Sequence, residues 1–140
     1  MKRIFVFIVS LLVLLMPVYG VTAKTQSYPF KIDKYTLSIG LIPNPPVVGE
    51  NRLVLEIKNP EGKIANDCEV NLLASMPGME GMAPERAAVK RSLAKGYEAE
   101  FQLSMGGMYN LTLGFGKKGS SKKTLKLSIV TGEKGIKQAK

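Results

Sequence analysis

The sequence predicts an all-β chain: an immunoglobulin-like antiparallel β-sandwich of about seven strands, following an N-terminal signal peptide. Three observations predict it. Short segments recur in which apolar and polar residues alternate, the two-residue period of a strand with one buried face. Turn-forming clusters of Gly, Pro, Asn and Ser stand between those segments, the spacing of a sandwich. No repeat of 20 to 50 residues competes with that reading. The chain has one Cys and no Trp, so the disulfide and Trp of antibody domains are absent and the core alone must hold the fold.

Taken in order, the chain opens with Lys2 and Arg3, an apolar run from Ile4 to Met16, and then Val21-Thr22-Ala23, a small-x-small pattern that signal peptidase accepts. Residues 1–23 are therefore expected to be a leader cleaved after Ala23, with an uncleaved inner-membrane anchor as the alternative. The run is short of the roughly 20 apolar residues that a span requires. Export to the periplasm or beyond is the expectation. Residues 24–34 read as a flexible lead-in, residues 35–130 as the sandwich domain, and residues 131–140 as a basic, frayed tail.

Within the domain, Tyr35, Leu37, Ile39 and Leu41 mark a first strand, stopped by Pro43-Asn44-Pro45-Pro46. Leu53, Leu55 and Ile57 mark a second, ending at the turn Asn59-Pro60-Glu61-Gly62. Cys68, Val70, Leu72 and Ala74 share one face of a third. Ala87 to Leu93 is the weakest strand, with a helical turn as its competitor. Tyr97, Ala99, Phe101 and Leu103 form a fifth; Tyr109, Leu111, Leu113 and Phe115 a sixth; Leu125, Leu127 and Ile129 a seventh.

Charge and residue types exclude several function classes. With the two leader bases removed, eighteen bases face eleven acids, a net +7 that suits an anionic membrane surface or acidic partner. The bases are dispersed, and the one dense group, Lys117, Lys118, Lys122 and Lys123, brackets a Gly-Ser turn. A solvated basic surface follows, and nucleic-acid binding, which wants a basic face with interleaved aromatics, does not. The chain has no His, which removes the imidazole base, the Ser-His and Cys-His nucleophile pairs and the common zinc and copper(II) ligands. Cys68 falls on the inward face of its strand, as a small buried hydrophobe does. No convergent pair of acids is discernible, so an enzyme is not expected.

What remains is methionine. Outside the leader all five lie in two turns, Met76, Met79 and Met82 in Met76-Pro77-Gly78-Met79-Glu80-Gly81-Met82, and Met105 and Met108 in Met105-Gly106-Gly107-Met108. Methionine used as core filler would be scattered along the strands. Thioether sulfur is soft, uncharged and needs no deprotonation, which selects copper(I) and, by analogy, silver. If successive strands run antiparallel, the loops after the first, third and fifth strands share one pole, and the two methionine groups converge there with the proline loop. The expected metal ligands are Met76, Met79 and Met82, with Met105 or Met108 assisting. Two other readings stand beside this one: Met76 as the last core residue of its strand with Met108 covering the sandwich end, and an adaptable methionine surface for docking a protein.

Two resemblances bear on this. The span from about Pro46 to Phe115 resembles the YtkA-like (FixH/YtkA) domain of exported or membrane-anchored bacterial proteins. The likeness is carried by Val48-Gly49-Glu50-Asn51, Asn59-Pro60-Glu61-Gly62-Lys63, Met76-Pro77-Gly78-Met79, Gly96-Tyr97 and Met105-Gly106-Gly107-Met108-Tyr109. It implies a setting near copper efflux adaptors or cytochrome oxidase assembly systems. The methionine loop, running on to Ala87-Ala88-Val89-Lys90, is also similar to that of CopC-type periplasmic copper carriers, whose His ligands have no counterpart here. The function expected is an exported, non-enzymatic carrier or scavenger of copper(I) with a copper donor or acceptor as partner. The alternative is a module docking its methionine pole on a membrane partner such as an oxidase assembly factor or efflux component. Oligomeric state is not legible.

Overall fold

The structure, a computed structural model, describes residues 25–92 and 96–140. The signal-peptide expectation for residues 1–23 lies outside the described residues. Among the described residues ten strands run in chain order: β1 (Ser27–Ile32), β2 (Tyr35–Ile42), β3 (Gly49–Lys58), β4 (Cys68–Ser75), β5 (Glu85–Arg86), β6 (Ala88–Arg91), β7 (Tyr97–Leu103), β8 (Met108–Lys117), β9 (Lys123–Val130) and β10 (Lys137–Gln138). They form two five-stranded sheets, ordered β1-β2-β3-β7-β6 and β10-β9-β8-β4-β5, with every pairing antiparallel.

Seven of these strands are the ones alternation predicts. Their order, β2-β3-β7-β6 over β9-β8-β4, is the A-B-E-D over G-F-C arrangement of an immunoglobulin-like sandwich. The inward sets named from the sequence make the core: Leu37, Ile39, Leu41, Leu53 and Ile57 from the first sheet face Leu72, Leu111, Leu113, Phe115, Leu125 and Leu127 from the second, all essentially inaccessible.

Three strands lie outside the expected seven, and each has a physical reason. β1 occupies residues expected to be a flexible lead-in; Pro29 sits at its middle, which only an edge strand tolerates, and β1 is an edge strand. Tyr28, Phe30 and Ile32 pack against the core from its inward face. β10 ties the expected frayed tail to β9, with Ile136 buried beside it. β5 lies just ahead of the weak fourth strand: Glu85 and Arg86 pair with β4, and Ala87 is buried. The expected Ala87–Leu93 strand is β6, Ala88–Arg91, paired with β7, its expected end at Leu93 lying outside the described residues. The chain changes sheets at Ala87.

Two buried polar groups steady the loops. Asn51, 1% exposed, accepts a hydrogen bond from Val47 N–H and donates to the carbonyls of Val47 and Gly49, so one side chain shapes the turn entering β3. The Tyr97 hydroxyl accepts from Cys68 N–H and donates to the Ala65 carbonyl, joining the two sheets at the opposite pole. Burial pushes both the Cys68 thiol and the Tyr97 phenol above their ordinary ranges, and the neighbouring Asp67 adds to each.

The sign of the consequence is fixed. Both groups release a proton more readily unfolded than folded, so the stability they contribute is full at neutral pH and is lost as pH rises through the alkaline range. The expected result is that Cys68 resists a chromogenic thiol reagent at pH 8 in the folded protein and reacts promptly in denaturant. Equal rates in the two states would show that the thiol is not enclosed.

The dense lysine group lies at the pole away from the methionine turns and is largely matched by acids. Lys117 pairs with Asp67 at 3.8 Å, Lys122 with Glu69 at 3.5 Å, and Lys123 with Asp33. These are surface pairs, individually worth little, but they dissolve any concentrated basic face. No helix among the described residues is long and apolar enough to cross a membrane.

Candidate functional site: the methionine pole

The sandwich ends, at one pole, in the loops that follow β2, β4 and β7. Two observations bring them together. The Met76 methyl packs against Gly107, 3.0 Å from where a Cβ would stand on that glycine. Pro46, in the proline loop, accepts a hydrogen bond from Gly132 N–H, and Thr131 at the end of β9 bonds to Gly107 through both backbone and hydroxyl. The convergence expected from strand parity is therefore present, and the weak fourth strand on which it depended is real as β6.

The methionine loop is built from two successive turns. Met79 N–H reaches the Met76 carbonyl at 3.4 Å and Met82 N–H the Met79 carbonyl at 3.0 Å, with Gly78 supplying the left-handed third residue of the first turn. Spacing by three thus sets three thioethers at the start, middle and end of a compact double turn. Met76 is half-buried and packs on the core, as its place in the inward series of β4 requires. Met79 and Met82 are exposed, at 38% and 45%.

Met76 and Met82 meet at a pocket of about 190 Å³ lined also by Ala74, Ser75, Ala83, Glu85, Gln102, Ser104 and Tyr109. The cavity lies where β4 and β7 end, beside β5. Met105 is exposed on the adjoining turn. Met108, the first residue of β8, stands on the outer face opposite Val130 and lines a separate recess with Ser128, Glu133 and Lys134. So of the five methionines singled out from the sequence, two line one pocket, two flank it, and Met108 faces away.

Tyr109 orders this end of the molecule. Its ring is buried, its hydroxyl donates to the Met105 carbonyl at 2.9 Å, and it accepts from Met105 N–H at 3.2 Å. This is a tyrosine corner at the start of the sixth core strand, clamping the second methionine turn by its backbone. Tyr109→Phe removes both bonds and leaves two partly buried backbone groups unpaired, so a loss of about 1–3 kcal/mol is expected. Denaturant unfolding measures it, and a loss under about 0.5 kcal/mol would mean the clamp is dispensable.

The six large hydrophobic side chains exposed among the described residues are Val47, Val48, Met79, Met82, Met105 and Met108. All six belong to this pole, since Val47 and Val48 lie in the loop after β2. Among the described residues no group of three or more His, Cys, Asp or Glu gathers to hold a hard metal ion.

The YtkA-like family model matches residues 31–114, more than half of the 140-residue chain. The chain belongs to the YtkA-like family. The crystal structure of a DUF4426 family protein from Pseudomonas aeruginosa PAO1, solved at 2.09 Å, is similar in fold. It has a TM-score of 0.54 at 12% identity, covering 80% of this chain and 96% of that one. At that identity the likeness is one of fold alone. No curated protein matches the chain. The matched span of this YtkA-like chain begins within β1 and ends within β8, so it includes both methionine turns, the sheet change at Ala87 and the clamp made by Tyr109.

Sequence reading missed Glu85 and the Tyr109 clamp. Glu85 carries no motif; it enters the pocket because it pairs with Ala74, a register that alternation alone does not reveal. Glu80, the acid inside the loop, is not part of the pocket lining.

Proposed function

We propose that this YtkA-like chain is an exported, non-enzymatic domain that carries or scavenges copper(I) at its methionine pole. The observation that carries the reading is the meeting of Met76 and Met82 in one pocket, with Met79 and Met105 exposed beside it. Soft, neutral sulfur ligands select a soft monovalent ion and hold it without a protonation change. Exposed ligands on a turn suit hand-over, because one thioether at a time can be replaced by a donor's or an acceptor's. Met108 has no assigned part in this site. Titrating the purified protein with copper(I) against a colorimetric chelator tests the reading; the protein should compete at micromolar concentration, and failure to compete overturns it.

A second reading is favoured by Val47 and Val48, which offer no donor atom yet extend the same exposed apolar pole. On this reading the pole docks on a membrane-protein partner such as an oxidase assembly factor or an efflux component. Crosslinking in host membranes that is lost in Val47→Ser/Val48→Ser, with copper affinity intact, would favour docking over carriage.

A further inference from the structure

We infer that Glu85 is the charge-compensating ligand of the methionine pocket, which makes it a mixed thioether–carboxylate site for a soft monovalent cation, copper(I) or silver(I). The inference rests on the copper reading above and names a ligand which that reading does not require.

The geometry follows from register. Glu85 stands directly opposite Ala74 across the β4–β5 pair, and residues opposed in an antiparallel pair project to the same side of the sheet. Ala74 is buried on the inner face of its sheet, so Glu85, exposed on the bordering strand, projects to that same side at the mouth of the pocket. Met76 lies two residues beyond Ala74 and continues that same face. The three residues therefore converge on the pocket that Met82 closes from the far side of the loop.

Glu85 is the one charged side chain in the lining of that pocket, and it has no ion-pair partner among the described residues. Thioethers are neutral, so a cation held by sulfur alone would keep its whole charge uncompensated at the mouth of the pocket. A carboxylate beside it cancels a single charge and leaves a divalent ion half-compensated. Softness and charge then act together: sulfur disfavours hard divalent ions, and the single carboxylate matches one positive charge.

The test compares wild type, Glu85→Gln and Glu80→Gln for silver(I) by calorimetry and for copper(I) by chelator competition. Glu85→Gln should weaken both ions by about tenfold or more, while Glu80→Gln changes them by less than about twofold. X-ray absorption of the silver complex should show an oxygen neighbour beside sulfur in wild type that is lost in Glu85→Gln. Metal-free melting temperatures of the three proteins should agree, since Glu85 is exposed. Wild-type affinity retained by Glu85→Gln overturns the role of Glu85 and leaves the copper reading standing. A wild type that binds neither ion overturns both.

Discussion

Gly96→Ala should destabilise the fold by about 3–5 kcal/mol, the largest effect expected of a single methyl group in this chain. Gly96 sits at φ +84°, where an L-residue costs roughly 1 kcal/mol, and it leads directly into β7 where that strand meets β3. The larger cost is steric. A Cβ there would stand 2.1 Å from the Leu55 carbonyl oxygen and 3.2 Å from the Glu56 Cα, all backbone of a central strand. Backbone cannot turn aside as a side chain can, so the variant must separate β3 from β7 or abandon the turn. Gly62→Ala is the control: its φ of +77° is similar, but nothing lies within 4 Å of the new methyl. That variant should lose about 1 kcal/mol, the conformational cost alone. Denaturant unfolding of the two separates the terms, and equal losses would mean that the approach to Leu55 is relieved at no cost.

The second large effect concerns binding. Replacing Met76, Met79 and Met82 together by Leu should lower copper(I) affinity at least about a hundredfold, while stability changes by no more than about 1–2 kcal/mol. The two parts of that expectation have separate causes. Leu matches Met in volume, and only Met76 packs on the core, so the sandwich loses little. All three sulfurs vanish, so a soft cation is left with Met105 and oxygen donors. Chelator competition gives the affinity and urea unfolding the stability. Unchanged affinity in the triple variant would remove the loop from the site altogether.

Much of the fold was legible because a strand with one buried face writes its period into the chain. Leu53, Leu55 and Ile57 could belong to nothing else, and the seven strands so marked are the seven of the core. What was illegible has particular causes. Tyr28, Phe30 and Ile32 alternate too, but Pro29 argues against a strand unless its edge position is known, and edge position is a property of the whole sheet. Glu85–Arg86 and Ala88–Arg91 are too short to show a period, and no local signal tells which sheet a short strand joins. Of the candidate site, the methionine clustering was visible in the sequence, and the common pole followed from counting strands. Met108 facing away follows from alternation with the inward Tyr109, once β8 is known to begin at Met108. Glu85 reaching the pocket depended on its pairing with Ala74, a fact of register that alternation fixes only up to the choice of partner.

The short outer strands have a consequence for the chain's life at high concentration. Of the four border strands, β5 and β10 are two residues long and β6 is four. The longest, β1, carries a proline at its centre and Lys31 two residues on. A foreign strand seeking to extend the first sheet at β1 therefore meets an interruption where it would need continuity, and a charge to bury. With no disulfide available to a chain of one cysteine, resistance to sheet-to-sheet aggregation has to come from these borders. That leaves the exposed apolar surface at the methionine end free to be sticky without seeding fibres.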